Sequence, residues 1–308
     1  MTSTEKFDAY TAVTDTILEA LEAGTVPWRR PWTSAGTLPL SLSTGHAYRG
    51  VNVMLLSLLG AQYDSPYWGT YKKIAELGGQ VRKGEKSTMV TFWKKLTITE
   101  EVDGKKQRKD IFMLRVYRVF NIDQADWAEG SKRPATPALV DHDPIAEAEA
   151  IVAGYPDAPP IHRTLSDRAY YVPSTDEITV PLIEQHASPE HFYSTLFHEM
   201  GHSTGHTSRL ARPNLMTFSH FGDEKYSKEE LVAEMTAAFL SAHAGIEVTM
   251  DNSAAYIASW LRVLKGDKKL VIQAAAQAQK AAEHILGTAP APQAEDADEV
   301  AQKELVAV

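Results

Sequence analysis

Phe192-Tyr-Ser-Thr-Leu-Phe-His198-Glu199-Met-Gly-His202-Ser-Thr-Gly-His206 is the stretch on which the reading of this chain turns. Its apolar residues at 192, 196, 197 and 200 recur at helical spacing, and helix positions four apart share a face. The imidazoles of His198 and His202 therefore stand side by side with Glu199 next to them, the spacing of the His-Glu-x-x-His metal motif. Two ring nitrogens aimed at one point suit a divalent cation, and a neighbouring carboxylate can take a proton from water. With 11 His in 308 residues, chance supplies this pattern in roughly 0.03 chains of such composition, so coincidence is the weaker explanation.

A zinc site with an open position needs a third protein ligand. The chain has no cysteine, so that ligand is His, Asp or Glu. A metzincin would continue to a third His at position 208. Gly205 is in place, but Ser208 stands where that His belongs, and the metzincin pattern fails. A better source is Ser227-Lys-Glu229-Glu230-Leu-Val-Ala-Glu234, on a helix predicted over 228–244. Glu230-x-x-Ala-Glu234 resembles the Glu-x-x-Ala-Asp pattern of gluzincin peptidases, in which the first acid binds metal and the second orients a ligand His from behind. Glu230 is the expected ligand, and Glu234 is expected to orient a ligand His from behind. Ser227 and Glu230 also have capping-box spacing, which leaves Glu234 and Glu229 as alternates. The implied reaction is peptide hydrolysis on Zn2+, or on another divalent metal such as Mn2+, with Glu199 as general base. Tyr226, His206, Tyr256 and Arg262 are all open candidates for steadying the oxyanion.

Outward from this site the chain divides in two. Helical spacing marks 5–23, 51–60 and 69–77, and strand-like runs cover 88–93 and 111–120. The charged stretch 100–110 between those runs reads as a hairpin turn. A Pro-containing linker follows, then a helix near 143–153, strands near 169–173 and 177–181, helices 189–204 and 228–244, and more helix across 252–286. The expected architecture is α+β: residues 1–128 as a first domain, 129–142 as linker, 143–287 as a mainly helical second domain, and an Ala/Pro/acidic disordered tail at 288–308.

The net charge of −9 is unevenly spread. Residues 1–133 hold 19 Lys and Arg against 15 Asp and Glu, leaving 12 against 25 in the remainder. The basic half also carries Trp28, Trp32, Trp68, Trp93 and Trp127, five of the six tryptophans. Unpaired bases stack on aromatic rings while cations follow phosphates. The expected contacts with a single-stranded nucleic acid are Trp28, Arg29, Arg30, Trp32, Tyr48, Arg49, Lys72, Lys73, Arg82, Lys83, Lys86, Trp93 and Lys94. No basic leader with an apolar core and no stretch long enough to span a bilayer is evident, so a cytoplasmic protein without a membrane partner is expected.

Leu21-Glu-Ala-Gly-Thr-Val-Pro-Trp-Arg-Arg-Pro-Trp32, Tyr48-Arg-Gly-Val-Asn52 and Gly78-Gly-Gln-Val-Arg-Lys-Gly-Glu-Lys86 resemble the N-terminal domain of ArdC-type antirestriction proteins, a domain also found at the start of some plasmid primases. Phe197 to His206 and Glu229 to Glu234 are similar to the same family's metallopeptidase domain. The resemblance implies a single-stranded DNA-binding domain followed by a zincin-like domain, and a role in shielding incoming plasmid or phage DNA from host restriction. It names no peptidase substrate; a component of the restriction system is one candidate. The competing reading is a DNA-coating protein whose metal is structural and which hydrolyses nothing.

Overall fold

The computed structural model describes residues 8–28, 37–102, 105–137, 144–213, 224–246 and 254–288. Helix α1 (Ala9–Glu22) starts where the Asp8 carboxylate accepts the backbone N–H groups of Tyr10 and Thr11, each at 3.2 Å, which satisfies two of the donors a helix start leaves free. It stops before Gly24, whose φ of 81° is the left-handed conformation glycine reaches without a Cβ clash. The remaining elements of the first half are β1 (Leu40–Ser41), α2 (Val51–Gly60), β2 (Tyr67–Gly69), α3 (Tyr71–Glu76), β3 (Gly79–Val81), β4 (Thr88–Val102), β5 (Lys105–Asn121) and β6 (Ala125–Trp127). One sheet runs β1-β2-β5-β4, with β4 and β5 antiparallel, and β3 pairs with β6 separately.

The β4–β5 ribbon is longer than its sequence suggests. Pairing continues from Thr88↔Val119 to Val102↔Lys105, so the charged residues expected to form a turn are mostly strand. Alternation of Leu96, Thr97, Ile98 and Thr99 favours extended backbone, and Asp110 ties the strands together by accepting from Thr97 Oγ1 at 2.7 Å and pairing with Lys95 at 2.8 Å. Asp103 and Gly104, between the two strands in sequence, lie outside the described residues.

In the second half, α4 (Pro144–Gly154) precedes a sheet ordered β7 (Ile161–Thr164), β9 (Glu177–Pro181), β8 (Tyr170–Val172). Four α-helices follow among the described residues: α5 (Pro189–Ser203), α6 (Glu224–Ala244), α7 (Ala254–Gly266) and α8 (Leu270–Ile285). Strand β7 has no amphipathic alternation, since only Ile161 is partly covered, and period-two reading passes over it. The helix expected across 252–286 is two helices, divided at 267–269, where Asp267 Oδ1 accepts from the Lys269 N–H at 2.9 Å. The tail predicted to be disordered lies, from residue 289 on, outside the described residues. No described helix is long and apolar enough to cross a membrane.

The two halves share one hydrophobic core, which runs from Val13, Ile17 and Leu21 through Met54 and Leu56 to Leu196, Met200, Leu240 and Ala278. Polar contacts cross the same boundary. Thr14 Oγ1 donates to Lys268 O at 2.7 Å, Gly50 N to Gln279 Oε1 at 3.1 Å, and Arg49 pairs with Glu283. The helices at the two ends of the described chain, α1 and α8, are packed together.

Candidate metal centre

Helix α5 begins at Ser188, whose hydroxyl accepts the His191 N–H at 3.3 Å, with Pro189 in the first turn, where its missing N–H costs nothing. Phe192, Leu196, Phe197 and Met200 are fully buried, which fixes the helix rotation and turns His198 and His202 toward α6. Gly201 lets α6 come close: a Cβ there would lie 3.1 Å from Ala233 Cα and 3.2 Å from its carbonyl oxygen. Backbone-to-backbone approach of this kind brings Glu230, one turn earlier on α6, within reach of both imidazoles.

The two Nε2 atoms stand 3.1 Å apart; Glu230 Oε2 is 3.5 Å from that of His198, and Oε1 is 3.3 Å from that of His202. Ligand bonds of about 2.0–2.2 Å around a tetrahedral ion separate neighbouring donors by about 3.4 Å. The spacing fits, and two imidazoles with one carboxylate suit a divalent transition metal. These three are the one group of three or more metal-competent side chains found among the described residues, with ligand atoms within 4.8 Å of one another. Glu199, next to His198 and 7% exposed, is close enough for its charge to favour protonation of both imidazoles.

Glu229 occupies the position behind the ligands that was expected of Glu234. Its Oε1 lies 3.5 Å from His202 Nδ1, on the far side of the ring from the cluster. A carboxylate there can hold the proton on Nδ1 and would leave the Nε2 lone pair free for a metal ion. Arg212 fixes Glu229 in turn, with Nε 3.0 Å from Oε2 and 3.2 Å from Oε1 and a further contact from Nη2. The remaining Arg212 donors go to Thr204 Oγ1 at 2.5 Å and Gly201 O at 2.8 Å. Glu229 is thus committed to His202 and Arg212 and does not join the ligand cluster. Nor does Ser227 cap α6, because the helix starts three residues earlier, at Glu224, and Glu230 is not needed by the helix N-terminus.

Glu234 faces the other half of the molecule. Trp28 Nε1–H donates to its Oε2 at 3.0 Å, and the Tyr256 hydroxyl donates to the same oxygen. Burial pushes its carboxyl up to about 7, against the opposing hydrogen bond from Tyr256, the charge of His198 and the hydrogen bond from Trp28. His202 moves further. Burial works against its charged form, but Glu229 and Glu230 outweigh it and push the imidazole up to about 10. For the same pairing, Glu230 is held well below the usual carboxylate range despite its burial. Of the oxyanion candidates, Tyr256 is committed to Glu234, His206 Nδ1 is 2.8 Å from Ser208 Oγ, and Arg262 is exposed.

The predicted DNA residues scatter. Trp28 is fully buried and no base can stack on it; its ring lies edge-on to Trp260 at 6.0 Å. Tyr48 is buried, and Arg49 is engaged with Glu283. Lys73 is 3.7 Å from Glu76, and Arg82 is pinned by Glu85 at 2.8 Å and Asp126 at 3.6 Å. Lys83, Lys86 and Trp93 are exposed, with Lys72 and Lys94 partly so. Arg29, Arg30 and Trp32 lie outside the described residues. Phe112, 64% exposed beside Trp93 on the ribbon, was not anticipated: a lone Phe in an alternating run reads as inward-facing.

Residues 146–277 match the family described as zincin-like metallopeptidase, and residues 7–120 match the N-terminal domain of anti-restriction factor ArdC. Protein y4eC of Sinorhizobium fredii is 35% identical over 291 residues, covering 90% of this chain and 91% of y4eC. DNA primase TraC of Escherichia coli is 36% identical over 89% of this chain, which spans only 26% of the primase. The crystal structure of the antirestriction ArdC protein from plasmid R388 in its Mn(II)-bound form superposes with a TM-score of 0.72 at 43% identity, covering 93% of this chain and all of that one. Its metal-free form gives 0.71 at 42%, covering 92% and all.

Proposed function

The chain belongs to the ArdC antirestriction family, and from that premise we propose that it binds single-stranded DNA through residues 1–128 and carries a metal-dependent peptidase site in residues 143–287. Acting in the cytoplasm, it would shield plasmid or phage DNA from host restriction. The observation that carries the peptidase reading is the convergence of His198, His202 and Glu230 with the Glu199 carboxylate alongside. Three protein ligands leave a position for a reactant, whereas structural zinc sites are closed by four. The basic balance of residues 1–133 within an acidic chain supports the DNA reading.

His198, His202 and Glu230 would hold the ion, Zn2+ or Mn2+. A divalent cation so held lowers the pKa of water and polarises a carbonyl. Glu199 accepts the proton of the attacking water on its carboxylate and returns it to the departing amide nitrogen. Glu229, locked by Arg212, keeps the proton of His202 on Nδ1, so that the opposite nitrogen stays available.

The test is Glu199→Gln, followed by metal content and cleavage of fluorescent casein. Metal is expected to stay bound while cleavage falls at least about 10²-fold. A Gln variant as active as the parent removes Glu199 from the role. A parent that holds metal but cleaves nothing favours the DNA-coating alternative.

A further inference from the structure

We infer that single-stranded DNA docks on one face of the β4–β5 ribbon, with the Phe112 and Trp93 rings as its stacking platform. This rests on the DNA-binding reading above and adds the surface and the side chains. Cross-strand partners share a face and residues two apart repeat it. The pairs Trp93↔Leu114, Lys95↔Phe112, Thr97↔Asp110 and Thr99↔Arg108 therefore line a single face.

Trp93 and Phe112 are diagonal neighbours on that face, in a relation that spans roughly 7–8 Å. They are open to solvent, Phe112 by 64% and Trp93 by 37%. Trp93 is anchored at the ribbon's root by the edge of Tyr10, with centroids 6.4 Å apart. Two large rings exposed together are informative where one is not.

The occupant follows from charge. Residues 94–118 hold eight Lys and Arg against four Asp and Glu over both faces, in a chain whose net charge is −9, and on the face of the rings Lys95, Arg108 and Arg118 stand against Asp110 among the described side chains. A polyanion is drawn to such a strip, and a polyanion with free bases also covers the rings. Duplex DNA hides its base faces and leaves the rings bare. The other exposed aromatic among the described residues of this half, Tyr71, stands in a cleft with Arg82, Glu85 and Asp126, whose carboxylates neutralise the guanidinium. The ribbon has the better charge balance.

Fluorescence anisotropy of a labelled oligothymidine on the full chain tests this, with the parent, Phe112→Ala and Phe112→Tyr. The parent is expected to bind; Phe112→Ala should weaken binding roughly ten- to a hundred-fold, and Phe112→Tyr, which keeps a ring, should restore it. Unaltered thermal unfolding of Phe112→Ala confirms that the loss is not one of fold, as expected for so exposed a side chain. If the parent binds and Phe112→Ala binds equally well, the ribbon assignment is wrong while the DNA reading stands. If the parent itself binds no oligothymidine, the DNA reading fails and takes the ribbon with it. Unchanged DNA affinity together with lost self-association would assign the face to a second copy of the chain.

Discussion

The metal cluster and the ribbon put functional side chains under opposite constraints. Around His202 each polar group has an appointed partner, in a chain of contacts from Glu230 through the imidazole to Glu229, Arg212, Thr204 and the Gly201 carbonyl. Along the ribbon Phe112 and Trp93 face solvent, and one described ion pair, Lys95 to Asp110, crosses between the strands. The first region binds a ligand by being built before it arrives. The second offers rings and cations whose final arrangement a flexible polymer can complete. Substitutions should therefore be costly to the fold in the first region and nearly silent in the second.

The sharpest way to break that contrast is Arg212→Met. It leaves the buried Glu229 carboxylate without its guanidinium, a loss of about 3–5 kcal/mol, read as a fall in the denaturant midpoint. Metal affinity should drop about 10–100-fold as His202 loses its orienting partner. Removing both charges with Arg212→Met/Glu229→Met should recover much of the stability but not the metal affinity. Recovery of both would mean that the pair serves packing alone.

How far each region was legible in the sequence follows the same division. The helical period brought out α5 and α6, and a four-residue spacing brought His198, His202 and Glu230 to attention without any knowledge of contacts. Which acid stands behind His202 was not legible. Glu229 and Glu234 sit on the same helix, and the choice depends on Arg212, 17 residues from Glu229 and beyond any periodic signal. The first half hid more. Strands β1, β2, β3 and β6 have two or three residues each, too few for alternation to register. Trp28 sits between Pro27 and two arginines, a context that reads as surface, yet its indole is buried against the other half of the molecule.

That indole gives the next test. In Trp28→Phe a ring remains but the donor to Glu234 is gone, leaving a buried carboxyl short of one hydrogen bond. The expected cost is about 1–3 kcal/mol, measured by urea denaturation. Oligothymidine affinity should stay at the parent value, because a buried ring stacks on no base. A variant that folds normally but binds DNA poorly would return Trp28 to the DNA surface and would blur the line between the two regions.

The smallest effect on stability is expected at the ribbon's outer end. Arg108 is exposed, pairs across the strands with Thr99, and shares the face of Phe112. Arg108→Ala should move the unfolding free energy by no more than about 0.5 kcal/mol. Its signature belongs to DNA binding instead. A cation that neutralises one phosphate releases its condensed counterion, so the log–log dependence of single-strand affinity on salt should flatten by about 0.7. The parent and Arg108→Ala affinities should then converge as salt rises, because the lost contact is one that ions screen. A constant affinity ratio at every salt concentration would show that the guanidinium does not meet a phosphate, and would shift the backbone path toward the cations nearer the ribbon's root.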